Sequence, residues 1–288
     1  MNSKSRSPYA LLCGIVTVLT VIAVLGMIAL AIVRSMTPDL PADGDPSDLG
    51  THTTTPAPTS TTPAGSGSEP VSDTADVVLA ETADMGQAYQ DSIMFVGDST
   101  TAHLRSRGVL SGGTATTQVW VPSDNTLLLD LNITAKKIVY PKTGEQMTIA
   151  EAAAKEKPAY MILTIGLNGV TSFVSNKNLY QNCYGKLIDA IREASPDTRI
   201  MLQSIFPVAA SQDTFSVDAA TLNGYIDTVN SYVRELAQTK EVRYLDTASV
   251  LKDASGNLPE SYQNGDGIHL TAEGYRVILN YIRTHGYQ

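Results

Sequence analysis

Apolar runs separated by helical periodicities set the pattern of this chain from about residue 76 onward. Ile93–Val96, Thr117–Val121, Tyr160–Ile165, Arg199–Ser204 and Val242–Asp246 read as short, largely buried strands. Leu179, Cys183, Leu187, Ile188 and Ile191 recur at helical spacing and predict a helix over Leu179–Ala194, stopped by Pro196. Ala219–Ala237 and Thr271–Thr284 predict two more, and Lys137–Thr148 reads as a hairpin around Lys142-Thr143-Gly144-Glu145. Strands alternating with helices predict an α/β domain over 77–288 with a mostly parallel, five-stranded sheet.

Upstream the pattern changes twice. Ala10–Val33 is apolar or small throughout, with only Thr17 and Thr20 polar, which is enough helix to cross a bilayer. Lys4 and Arg6 precede it, whereas Arg34 alone follows closely and then come Asp39, Asp43, Asp45 and Asp48, so the positive-inside bias puts residues 1–9 in the cytoplasm and the rest outside the cell. Cleavage after Ala31, in the small-x-small sequence Ala29-Leu30-Ala31, is the rival to a retained transmembrane anchor over 10–33. Residues 34–76 are rich in Thr, Pro, Ser, Gly and Asp and predict a disordered stalk at the cell membrane.

Charge and cysteine content narrow the partners. A net charge of −9 and a pI near 4.9 argue against a nucleic-acid surface. Cys13 lies near the start of the apolar run, away from a lipidation position. Cys183, expected buried on its helix, is the other cysteine, so the outer domain has no internal disulfide.

Three short segments carry the candidate chemistry. Gly97-Asp98-Ser99-Thr100 follows the first strand, placing Ser99 at the carboxyl edge of the sheet, where open α/β folds bind ligands. Asp266-Gly267-Ile268-His269 precedes the last helix, with Thr271 as its cap and Glu273 in its first turn. A carboxylate three residues before an imidazole can fold back onto Nδ1–H, leaving Nε2 to take a proton from a serine. Of four histidines, His52 sits in the stalk and His285 near the end, so His269 is the expected base and His103, four residues after Ser99, its rival. Asn168, in Gly166-Leu167-Asn168-Gly169 after the third strand, can donate to a developing oxyanion.

The ordered set Gly97-Asp98-Ser99, Asn168 and Asp266-x-x-His269 resembles the SGNH (GDSL-type) hydrolase family over about residues 90–288. The resemblance implies a flavodoxin-like three-layer α/β/α sandwich and a serine esterase without a cofactor. It also implies an oxyanion hole made by the Ser99 amide, a glycine amide and the Asn168 side chain. Gly113 is the first choice for that glycine, with Gly112 and Gly108 as alternates. The family usually has Asp after the Asn, whereas Gly169 stands here, a change expected to loosen the Asn168 loop. Trp120 is placed either against a sugar ring or in the core. The expected substrate is an O-acyl, first of all O-acetyl, ester of a cell-wall or extracellular carbohydrate. Lipid or thioester hydrolysis, acyl transfer, and a non-catalytic surface binding module are the alternatives.

Overall fold

The computed structural model describes residues 77–287; the apolar run 10–33 and the segment 34–76 lie outside the described residues. Among the described residues no helix is long and apolar enough to cross a membrane.

Five parallel strands form the central sheet: β1 (Ile93–Gly97), β2 (Val119–Trp120), β5 (Tyr160–Thr164), β6 (Arg199–Gln203) and β7 (Arg243–Leu245). Their spatial order is β2-β1-β5-β6-β7, all parallel, with Phe95 opposite Val119 on one side and Ile162 on the other. A separate hairpin pairs β3 (Lys137–Val139) with β4 (Gln146–Thr148), as the sequence predicts. Residues 77–79 extend the far edge, where the Leu79 amide donates to the Tyr244 carbonyl at 2.9 Å.

Period-two alternation divides the strand side chains between two cores. Val96, Met161, Leu163, Ile200 and Leu202 face one side. There they meet α3 (Ile149–Glu156), α5 (Lys177–Ala194) and α6 (Ala219–Thr239) through residues such as Ala152, Leu187 and Ile226. Ile93, Phe95, Ile162, Met201 and Leu245 face the other. They meet α1 (Gly86–Asp91), α2 (Ser99–Ser106) and α8 (Ala272–Thr284) through Tyr89, Leu104 and Ile278. The result is the expected three-layer sandwich, in which each buried aliphatic chain contributes about 2 kcal/mol. Two one-turn helices, α4 (Val170–Phe173) and α7 (Ala248–Leu251), lie in the loops after β5 and β7.

Helix starts follow local chemistry. Thr148 and Glu151 form a reciprocal capping box at α3, Asp218 accepts the Thr221 amide at 2.9 Å at α6, and Thr271 accepts the Gly274 amide at 3.3 Å at α8. Cys183 is fully buried on α5. Trp120 is 1% exposed and meets the Tyr140 ring edge-on at 6.2 Å, so it belongs to the core and reaches no ligand.

Strand order reverses between β1 and β5, because one neighbour chain continues toward β2 and the other toward β6. In open α/β sheets the loops at the carboxyl ends diverge at such a point and leave a crevice. Ser99 follows β1 and Asn168 follows β5, so both stand at that point.

Candidate active site

The turn between β1 and α2 is built by its first two residues. A methyl group on Gly97 would collide with the Thr101 side chain and the Thr164 carbonyl, so only glycine lets α2 leave the sheet this closely. Asp98 is the N-cap of α2: its Oδ1 accepts the Thr100 amide at 3.0 Å and the Thr100 hydroxyl at 2.8 Å. Ser99 is the first helical residue, and its amide has no carbonyl partner within the helix.

The second segment arrives from the far end of the chain. His269 Nε2 lies 2.8 Å from Ser99 Oγ, and His269 Nδ1 lies 2.6 Å from Asp266 Oδ2. Asp266 Oδ1 accepts the amides of Ile268 and His269, each at 2.8 Å, so the carboxylate folds back over its own turn. Burial pushes the Asp266 carboxyl upward, but hydrogen bonds from the His269 ring and the two amides outweigh it and hold the group below its ordinary value. With Asp266 accepting at Nδ1, the proton resides on that nitrogen and Nε2 offers its lone pair to Ser99.

Backbone contacts fix this turn. Gly267 has φ +73°, and a side chain there would strike the Gln212 backbone, while its carbonyl accepts the Ala209 amide at 2.8 Å. The loop it leans on is itself clamped. Asn230 bonds both backbone groups of Ile205, at 2.7 and 3.0 Å, and Asn223 those of Val208, at 2.8 and 2.9 Å. Gln263 Oε1 accepts the Gly267 amide at 3.0 Å.

Asn168 completes the rim. Its Nδ2 donates to Asp98 Oδ2 at 3.1 Å, which leaves the second hydrogen of that amide free for a ligand. Gly169 adopts φ +93° as the N-cap of α4, a conformation an aspartate would hold only under strain. The expected loosening is offset here by the bond from Asn168 to Asp98, a side chain only 1% exposed. Burial raises the Asp98 carboxyl above its ordinary value, against hydrogen bonds from Thr100 and the nearby His269.

His103 packs against His269, with ring centroids 4.4 Å apart and planes inclined by 49°; its Nδ1 is buried without a hydrogen-bond partner. The nitrogen facing the serine hydroxyl is that of His269.

Gly113 requires correction. Helix α2 carries the chain from the carboxyl edge back to the amino edge, and residues 108–113 follow its end. Ser111 bonds Asp91 at 2.7 Å and Gln87 at 3.2 Å, both on α1, which leads into the start of β1. The Gly113 amide already donates to Leu110 at 2.9 Å. Gly108, Gly112 and Gly113 therefore lie at the edge opposite Ser99. The loop that does emerge beside Ser99 after β2, residues 121–127, contains no glycine.

Sequence reasoning also missed Asp98 as the anchor of Asn168, although its place between Gly97 and Ser99 at a helix start marks a cap.

Residues 95–277 match the GDSL-like lipase/acylhydrolase family. The chain belongs to that family. Among solved structures, this acylhydrolase-family chain is similar to a lipopolysaccharide acetyltransferase periplasmic domain from Salmonella ser. Paratyphi A, at 18% identity over 66% of this chain and 82% of that one, TM-score 0.45. It is also similar to a carbohydrate esterase family 3 from Talaromyces cellulolyticus, at 18% identity over 66% of this chain and 93% of that one, TM-score 0.42. A GDSL-like lipase from Bacteroides thetaiotaomicron gives 13% identity over 67% and 87%, TM-score 0.43. No curated protein matches.

Proposed function

We propose that this GDSL-family chain is a serine esterase that removes O-acyl groups, foremost O-acetyl, from a cell-envelope carbohydrate. The observation that carries the chemistry is the continuous chain Ser99 Oγ, His269 Nε2, His269 Nδ1, Asp266 Oδ2, with links of 2.8 Å and 2.6 Å. Ser99 Oγ attacks the ester carbonyl while His269 Nε2 takes its proton. The negative charge that develops on the carbonyl oxygen is met by the Ser99 amide and the free Asn168 hydrogen, at the positive end of α2. Collapse expels the alcohol, which leaves with the proton from His269. Water then attacks the acyl-Ser99 ester, giving its proton to the same nitrogen, and the acid departs as Ser99 recovers its hydrogen.

The apolar run Ala10–Val33, with two cations before it and a single cation, Arg34, then four acids after it, and the Thr/Pro-rich stretch beyond support an anchored domain displayed outside the cell, within reach of wall or extracellular glycan.

A fluorophosphonate probe tests the nucleophile. Full-length protein should be labelled at Ser99 and the Ser99→Ala variant should not; folded wild-type protein that resists the probe would leave only a binding role.

A further inference from the structure

We infer that the rim around Ser99 admits acyl esters of neutral or amine-bearing sugars and turns away those carrying phosphate or carboxylate near the ester. This rests on the serine-esterase reading above and adds the substrate's charge to it.

Four segments frame the site at the carboxyl edge: 121–135 after β2, 165–176 after β5, 204–218 after β6, and 257–271, which delivers His269. They contain Asp124, Asp130, Asp213, Asp218, Glu260 and Asp266, and not one Lys or Arg. Asp130 is neutralised by Lys136 at 2.8 Å, and the Asp266 carboxylate is committed to His269. Asp124, Asp213, Asp218 and Glu260 stand exposed. Of the neighbouring cations, Lys177 is paired with Glu235 and Lys252 with Asp227, while Arg107, two turns along α2 from Ser99, spends its Nε–H on the Leu270 carbonyl at 3.2 Å.

The opposite edge of the sheet is mixed in sign, with Asp91, Glu156, Asp197 and Glu241 standing among its cations. Arg199 and Arg243 are the first residues of β6 and β7, and Lys157 precedes β5. Acids without intervening cations are therefore a feature of the loops where Ser99 opens to solvent. The positive feature at the site, the first turn of α2, acts over a few ångströms. It suits an oxyanion at Ser99 and gives no grip on a phosphate farther out. A cleft of one sign raises the local concentration of ligands of the other and depletes its own, and salt erases the effect. Coenzyme thioesters and phospholipids, both phosphate-bearing, are disfavoured on this ground.

Three fluorophosphonates with the same reactive group and linkers ending in a neutral, a quaternary ammonium or a carboxylate group provide the test on full-length protein. At low ionic strength the neutral and cationic probes should label Ser99 roughly tenfold faster than the carboxylate probe, with the gap closing in about 0.5 M salt. The double variant Asp124→Lys/Asp213→Lys should narrow that gap at low salt. A carboxylate probe that labels as fast as the others at low salt overturns the selectivity while leaving the esterase intact. Failure of all three probes to label overturns the esterase reading and the selectivity with it.

Discussion

Acid should weaken this fold through His103. Burial, the charge of His269 and the Arg107 guanidinium together push the His103 imidazole down from 6.5 to about 4, with Asp266 pulling weakly the other way. The unfolded chain therefore binds a proton that the folded chain refuses between these two values. The stability involved is complete above about pH 6.5 and is lost as the pH falls toward 4. At 1.36 kcal/mol per unit the full penalty at pH 4 is about 3 kcal/mol, and because the ring is only half-buried, solvent screening reduces it to about 1.5 kcal/mol. His103→Phe keeps a ring against His269 and removes the titration. Urea unfolding of full-length wild type and variant at pH 7 and pH 4 isolates the term, since Asp98 and Asp266 titrate in both proteins and cancel. Wild type should lose about 1.5 kcal/mol more than the variant on acidification. Equal losses would show that His103 is charged in the folded protein, and the packing argument would fail. The same variant at pH 7 should still be labelled at Ser99, because the nitrogen in reach of the hydroxyl belongs to His269.

Two further outcomes follow from the β1 turn and the Asn168 loop. Asn168→Ala should fold normally, by circular dichroism and melting, yet lose about a hundredfold in kcat on an acetyl ester, since one oxyanion donor is worth about 3 kcal/mol. Gly97→Ala should cost about 2 kcal/mol in urea unfolding, because the new methyl meets a backbone carbonyl that has nowhere to move; an unchanged midpoint would contradict the close approach of α2 to β5.

The sheet was legible in the sequence because its strands are buried on both faces and show as uninterrupted apolar runs. The second strand is shorter than Thr117–Val121: only Val119 and Trp120 are in register with β1, although the Gln118 carbonyl still accepts the Phe95 amide, because the Val121 carbonyl turns to the Val139 amide and Pro122 brings no amide to the ladder. Helix α3 begins at Thr148-Ile149-Ala150-Glu151, which has capping-box spacing, but Thr148 also closes the hairpin, and that double role masks the helix start in the sequence. The short α1 carries too few turns for any periodicity to register. The backbone freedom that favours Gly113 in the sequence is a local property, whereas the position of a donor is set by topology. A helix of eight residues carries the chain about 12 Å back toward the amino edge before β2 begins. Counting that rise excludes any glycine ahead of β2 and directs attention to 121–127.

The three residues Gly97-Asp98-Ser99 are best understood as one device with separable parts. Gly97 sets how near α2 lies to β5, and this nearness brings the Asn168 loop within 3.1 Å of Asp98. Asp98 then serves two elements with its two oxygens, capping α2 with one and holding Asn168 with the other, while burial raises the cost of its charge. Ser99, fixed at the first helical position by that cap, presents its hydroxyl to His269 and its amide to the same space as the Asn168 hydrogen. A serine elsewhere in a helix would face a base without this amide, since interior amides are already bonded. Placement after a glycine and a capping carboxylate therefore gives nucleophile, helix end and side-chain donor a common origin in one turn. Only the base and its orienting carboxylate must be brought from the far end of the chain.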